Sequence, residues 1–171
     1  PSATGTQSVP TRPIGAFPIV GIAATDGFCS VYLSKYLMNR EVGFGRRLLQ
    51  IFEDEGISFE HTPSGIDNMS VIVRESTFNK AAEERVLRRV RTELAVDEVT
   101  VERNLALVMV VGEGMNHTIG LAGRACTAFA EAGVNLEMIN QGSSEVSMMF
   151  GIKADDIPGS VRALYDQFFG S

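Results

Sequence analysis

The stretch Phe52–Val71, FEDEGISFEHTPSGIDNMSV, aligns without a gap on Phe129–Met148, FAEAGVNLEMINQGSSEVSM, when the 171-residue chain is slid against itself by 77 positions. Over positions 38 to 70 the register makes nine identical pairs: Met38/Met115, Asn39/Asn116, Gly43/Gly120, Arg47/Arg124, Phe52/Phe129, Gly56/Gly133, Glu60/Glu137, Gly65/Gly142 and Ser70/Ser147. Unrelated segments of ordinary composition would share about two. The chain therefore contains one supersecondary unit twice.

Periodicity gives the unit its shape. Residues 28–34 (FCSVYLS) and 105–111 (LALVMVV) are short apolar runs rich in Val and aromatic residues, and they read as strands. Phe44, Leu48, Leu49 and Phe52 recur at helical spacing up to Gly56, as do Ile119, Ala122, Cys126, Phe129 and Ala130 up to Gly133. Each glycine predicts a helix stop. ISFEHT and VNLEMIN, the turns PSGIDN and QGSSE, then MSVIV and VSMMFGI predict a strand pair in each copy. A second helix follows. In the first copy Asn79 is its expected cap, with Val86, Leu87, Val90 and Leu94 inward; in the second, Asp156 and Pro158 open it, with Ile157, Val161, Leu164, Tyr165 and Phe168 as the apolar stripe. EVTVER (98–103) closes the first copy as β-α-β-β-α-β. The second copy reaches Phe169 without a final strand, and IVGIAA (19–24) is the spare apolar segment that can supply it. The expected fold class is α+β, two ferredoxin-like βαββαβ sandwiches that interlock, the first inserted into the second. The expected units are residues 28–103 and residues 19–24 plus 105–171.

Composition narrows the function. Hydrophobic residues at 44% and charged residues at 21% suit a packed core, and no apolar run reaches the 18 or so residues of a membrane span. Fifteen basic against twenty-one acidic residues give a net charge of -6, which repels nucleic-acid backbones and anionic lipid. Neither nucleic acid nor membrane is an expected partner. Cys29 and Cys126 stand alone in apolar surroundings, with no metal-ligand spacing to each other or to His61 and His117, so no metal is expected and a reducing cytoplasmic compartment fits. Residues 1–18, with four of the six prolines, read as a linker from a domain further upstream.

A βαββαβ sandwich hosts many activities, so the residues must choose. RNA recognition needs stacking aromatics on the central strands, and MSVIVRE has none. A phosphatase or ligase needs a nucleophile with its base, and GEGMNH is only a partial match to a dinucleotide loop. Small-ligand sensing fits better. In both copies a Met-Asn loop leads through glycine into a helix N-terminus (LMNREVGFG, GMNHTIGLA), where free N–H groups favour an anion such as a carboxylate. The following strand carries Glu60 or Glu137, expected near the same end, where it can hold an ammonium group. Together they describe a zwitterion site. Plainer roles stand beside these: Gly43 and Gly120 as tight-turn positions, Glu60 and Glu137 as solvated strand ends, Val146–Phe150 as core packing, and His61 and His117 as bystanders. Arg85, Arg88, Arg89 and Arg91 read as an ion-paired helix face with Glu83, Glu84 and Glu93, and both cysteines as buried structural residues.

The tandem G-I-S-F-E-H-T-P-S-G-I-D-N-M-S-V and G-V-N-L-E-M-I-N-Q-G-S-S-E-V-S-M-M-F resemble the paired ACT domains at the C-terminal end of the aspartokinases. NREVGFGRRLLQIFEDEGISFEHTPSGIDNMSVI resembles the monofunctional, lysine-responsive type, and GTQSVP the segment that joins kinase domain to ACT pair. The likeness runs over residues 4 to 170. It implies a regulatory region that binds lysine, threonine or both and lowers the activity of a kinase domain in the same parent chain. That kinase would use ATP and Mg to phosphorylate L-aspartate in lysine, threonine and methionine biosynthesis. The fragment itself would be inactive, with no catalytic residue or cofactor of its own. The resemblance places the effector at Met38, Arg40, Glu41, Gly43, Phe44 and Gly45, facing Ser58, Phe59 and Glu60. Glu60 stands where the family commonly has Asp, and Glu41 where some lysine-inhibited relatives have Ser. A second effector or interface site of lower rank falls on Asn116, His117, Thr118, Gly120, Leu121, Asn135 and Glu137. It also implies a homodimer through sheet edges. The alternatives are a dimerisation module indifferent to effectors, or an ACT pair serving another enzyme of amino-acid metabolism.

Overall fold

Two long strands, β1 (Ile19–Ser34) and β4 (Glu98–Gly112), lie antiparallel at the centre of the structure. The computed structural model describes residues 19–113, 115, 118–141 and 147–170; the expected linker, residues 1–18, lies outside them, as do Asn116, His117 and residues 142–146. Between and after the two strands come α1 (Phe44–Asp54), β2 (Phe59–His61), β3 (Asn68–Arg74), α2 (Lys80–Leu94), α3 (Leu121–Glu131), β5 (Met138–Gln141), β6 (Ser147–Lys153) and α4 (Ile157–Phe169). One antiparallel sheet results, in the order β2-β3-β1-β4-β6-β5.

The sequence reading separates 19–24 from 28–34 and 98–103 from 105–111; the chain instead runs each pair as a single strand. Two bulges explain the difference. β1 gains a residue between the pairs Thr25↔Leu107 and Phe28↔Leu105, where Gly27 has φ 81°, and β4 gains one between Phe28↔Leu105 and Ser30↔Glu102, where Asn104 has φ 61°. Each extra residue breaks the two-residue alternation without ending the strand. The inward parity consequently shifts, from Ile22 and Ala24 to Cys29, Val31 and Leu33 in β1, and from Val99 and Val101 to Ala106, Val108 and Val110 in β4. The first half of β1 pairs with the second half of β4, so segment 19–25 stands as the fourth strand beside β4, β6 and β5. Two interlocked βαββαβ sandwiches are thereby built on a shared pair of strands.

Each sandwich has its own core. In the first, Leu48, Ile51 and Phe52 of α1 and Val86, Val90 and Leu94 of α2 pack on Cys29, Val31, Leu33, Val71 and Val73, with Phe52 and Phe78 stacked at 6.4 Å. In the second, Ala125, Ala128 and Phe129 of α3 and Leu164 and Phe168 of α4 cover Ala106, Val108, Val110, Met148, Phe150 and Ile152, with Phe129 and Phe150 at 4.9 Å. The opposite face of the sheet carries a smaller apolar cluster, Phe28, Ile72, Leu105 and Leu107.

The repeat reaches the hydrogen bonds. Ile57 N–H donates to Phe52 O and Val134 N–H to Phe129 O, both at 2.9 Å, closing α1 and α3 over Gly56 (φ 68°) and Gly133 (φ 71°). The expected helix stops are thus left-handed C-caps. Asn79 caps α2 by accepting from Ala82 N–H at 3.0 Å. On the Arg face of α2, Arg85 pairs with Glu55 at 2.7 Å and Arg89 with Asp54 and Glu93 at 2.9 and 2.5 Å, so that most of the expected pairing runs to the end of α1 rather than along α2, and Glu83 pairs with Arg103 instead.

Four expectations are corrected. The buried stripe of α3 is Leu121, Ala125, Ala128 and Phe129, with Ile119 fully exposed ahead of the helix and Ala130 exposed. Counting from Ile119 put the phase about one residue out, because the first turn starts only after Gly120. Tyr165 of α4 is exposed and meets Phe169 in a tilted ring contact at 5.2 Å, leaving Ser160, Leu164 and Phe168 buried. Asp156 makes no side-chain cap; a 3-10 turn, Ala154–Asp156, feeds α4 instead. Of the two cysteines Cys29 is buried, its thiol pushed up to about 11 by desolvation, whereas Cys126 is only half-buried.

Phe52→Ala and Phe129→Ala should each lower stability by about 3–5 kcal/mol. Because both cores rest on β1 and β4, urea denaturation followed by circular dichroism should show one transition in each variant. Thiol labelling of the native chain at pH 8 should modify Cys126 before Cys29, since the thiolate is the reactive form, and urea should abolish the difference.

Candidate functional site

The loop between β1 and α1 is built to turn sharply; Phe44 N–H donates to Glu41 O at 3.2 Å, and the amides of Gly45 and Arg46 follow it as the open ones of the first helical turn. Leu37 is left-handed (φ 58°), Met38–Arg40 make one 3-10 turn, Glu41 N–H donates to Met38 O at 3.1 Å, and left-handed Gly43 (φ 78°) opens α1. Met38 and Phe44 are buried in the first core and anchor the loop from below. Arg40 and Gly43 are exposed, Gly45 half-buried, and Val42 at 98% exposure is the tip. The side chains of Phe44 and Met38 therefore hold the loop in shape, while Arg40, Val42 and Gly43 form its outer surface at the positive end of a helix dipole.

The second copy repeats this backbone at the described positions. Thr118 N–H donates to Met115 O at 3.2 Å, Gly120 has φ 87° and Leu121 is buried as Phe44 is. Its other expected residues, Asn116 and His117, lie outside the described residues. Thr118 itself is half-buried and Ile119 takes the fully exposed place of Val42.

The charges of the first loop form a network that local spacing did not reveal. Glu41 accepts from Lys35 Nζ at 2.6 Å through Oε2 and from Arg47 Nη2 through Oε1. Lys35 also donates to Leu94 O at 2.7 Å and lies 5.7 Å from the centre of the Phe44 ring. The two hydrogen bonds, from Lys35 and then Arg47, hold the Glu41 carboxyl below its ordinary value of 4.5. Lys35 and Arg47 escaped the sequence reading because each is six residues from Glu41, outside the three- and four-residue spacings of a helix face.

Glu60 and Glu137 are not at the same end as the loops. β2 pairs Phe59 with Val73 and His61 with Ile72, and β3 pairs Val73 with Cys29, whereas the loop leaves β1 after Ser34. Glu60 accordingly bonds Arg74 Nε at 3.0 Å, and Arg74 lies over the Phe28 ring at 4.4 Å. Ser58, Phe59 and Glu60 are exposed along the sheet edge. In the second copy Glu137 N–H donates to Gly151 O and its carboxylate accepts from Asn135 Nδ2 at 2.9 Å, again remote from Gly112, where the second loop leaves β4. The reason is topological: the helix carries the chain back along the sheet, so the next strand starts at the opposite end. Glu137 instead lines a cavity of about 370 Å³ on the face away from the helices, together with Tyr32, Ser70, Glu102 and Leu105. His61 is half-buried, its Nε2 without a partner, and desolvation lowers its pKa.

A repeated βαββαβ unit with two such loops is an ACT-type fold, and the ACT domain family matches residues 108–168 directly. Aspartokinase 3 of Bacillus subtilis is 56% identical over 169 residues, covering 99% of this chain and 37% of that protein. The aspartate kinase of Clostridium acetobutylicum, described as an allosteric enzyme, superposes with a TM-score of 0.86 at 34% identity, covering 93% of this chain and 36% of that one. The ligand-free regulatory subunit of aspartate kinase from Thermus thermophilus superposes with a TM-score of 0.75 at 25% identity, covering 89% of this chain and 99% of that subunit. The chain is thus a tandem ACT region homologous to the regulatory part of the aspartokinases, and it spans little more than a third of the length of the first of these relatives. Among the described residues no helix is long and apolar enough to cross a membrane.

A carboxyl held low by cations contributes stability above its unfolded value and loses it as the pH falls through the folded one. NMR titration should therefore place Glu41 below an ordinary Glu, and Lys35→Met, which removes the first of its two hydrogen bonds, should raise its midpoint.

Proposed function

We propose that this chain is the sensing end of an aspartokinase, in which an amino-acid end product, lysine or threonine, binds at the β1–α1 loop and lowers the activity of a kinase domain in the same parent chain. The observation that carries the reading is the loop itself: the same left-handed glycine opens a helix with free N–H groups in both copies, on a fold that covers nearly all of a dedicated regulatory subunit. Those N–H groups suit the effector's α-carboxylate. The kinase domain would hold ATP and Mg and transfer phosphate to L-aspartate; nothing in the present chain is assigned to that step. A cytoplasmic site of action accords with such a role. The units we assign are 28–103 and 19–24 with 105–171, joined to the kinase through 1–18.

A second copy resolves the separation of Glu60 from the loop. β2 is an open sheet edge, and such edges pair. Antiparallel pairing of two β2 strands reverses one of them, carrying Ser58, Phe59 and Glu60 of one chain toward the loop end of the other. The proposed homodimer would then assemble the site across its seam, with amides from one chain and a carboxylate from its partner. Inhibition requires the effector to bind the inhibited arrangement more tightly, and a coupling of about 1–3 kcal/mol gives a 5- to 150-fold shift.

Calorimetric titration of the dimeric chain with lysine and with threonine should give heat for at least one. Gly43→Val, whose Cβ meets open space and so costs only backbone strain, should weaken that binding tenfold or more, as should Glu60→Ala. A dimer that binds neither amino acid would be a pure assembly module, and binding that survives both substitutions would move the site elsewhere.

A further inference from the structure

We infer that Lys35 is a specificity-determining residue of the first loop: its ammonium group fills the cation place beside Glu41, so that the loop favours an amino acid with an uncharged side chain over a cationic one. The inference rests on the reading of that loop as an amino-acid site and concerns which amino acid it takes. Glu41 is the one acidic side chain in the segment from Lys35 to Arg47, which also contains Arg40 and Arg46; four cations against one anion leave it at +3. It is therefore the natural acceptor there for the ε-ammonium of a ligand such as lysine. Both of its oxygens are taken, Oε2 by Lys35 and Oε1 by Arg47.

Lys35 is held in place from three sides. Its Nζ reaches the Glu41 carboxylate at 2.6 Å and Leu94 O at 2.7 Å, and it lies 5.7 Å from the Phe44 ring centre. Leu94 is the last residue of α2, so this carbonyl is among those a helix end leaves open, at its negative pole. Carboxylate, helix-end carbonyl and aromatic face together make a complete ammonium cradle. A tethered occupant acts at an effective concentration on the order of millimolar or more, which a free ammonium must exceed to displace it. An uncharged side chain does not compete for the cradle at all. The α-carboxylate and α-ammonium are common to every amino acid and cancel in the comparison.

The test sets L-lysine against L-norleucine, which share a straight side chain and differ in its terminal charge. In the 171-residue chain carrying Gly120→Val to silence the second loop, calorimetry should show norleucine binding more tightly than lysine. Lys35→Met should raise the lysine-to-norleucine affinity ratio at least tenfold, and Lys35→Arg should leave it where it is. Glu41→Gln, which keeps Lys35 but removes its counter-charge, should lower the ratio at least fivefold and serves where Lys35→Met fails to fold. Binding of both ligands with a ratio unmoved by Lys35→Met, or by Glu41→Gln in its place, overturns the role of Lys35 and leaves the amino-acid site standing. Heat from no amino acid, threonine included, in the parent chain overturns the site itself and this inference with it.

Discussion

The pairing of β1 with β4 is the constraint on which everything else hangs. Each strand serves two sandwiches, and in each the parity of the residues that face the helices changes from one half of the strand to the other. A regular strand cannot make that change, because its side chains alternate without exception. One extra residue in each strand, beside Gly27 and at Asn104, makes the change while the ladder of hydrogen bonds resumes on either side. The apolar sets of both units then face their own helix pairs. Removing either bulge would turn one unit's core residues outward.

The same pairing separates the two loops. β1 and β4 run antiparallel, Ser34 opposite Glu98 and Ile19 opposite Gly112, so the first loop leaves one end of the pair and the second loop leaves the other. At about 3.3 Å per residue the strand path between them is roughly 50 Å. No small molecule spans both. The acidic edge residues are equally divided, each lying at the far end of its own unit, which is why the proposed composite site would need a partner's edge strand rather than a rearrangement within one chain.

Much of this was legible in the residues because the duplication exposes it. Gly43 and Gly120, Gly56 and Gly133 recur at the same offset, and each pair performs one backbone task that only a left-handed position can. Helix existence, the Asn79 cap and the borrowed strand followed from apolar spacing and from counting strands. What escaped has a physical reason in each case. The bulges hid because periodicity reads an interruption as an end. The phase of α3 was misjudged because Ile119 looks like a core residue and belongs to the exposed tip that Val42 occupies in the first copy. Glu60 was placed by its order in the chain, whereas antiparallel register decides its position. Lys35 and Arg47 meet Glu41 through the fold of a turn, a contact that helical spacing does not encode.

The shared strands also bear on how sensing could be transmitted. A loop seated on an independent domain can adjust to a ligand locally, absorbing a shift of a few tenths of an ångström in its own hinge. Here the first loop is anchored by Met38 and Phe44 in a core whose floor is β1, and β1 continues into the second core through Ile22 and Ala24. Close-packed cores respond to small displacements by moving between discrete packings rather than by deforming smoothly. A ligand that favours one packing at the first loop therefore biases the strand that also supports the second unit. If both loops take effectors, linkage requires the influence to be equal in each direction, so that each ligand changes the other's affinity by the same factor. The divergence of the loops at one repeat position, Glu41 in the first and Thr118 in the second, then acquires a purpose. Two sites with different charge can answer to two different amino acids, and the strand pair between them makes their responses one.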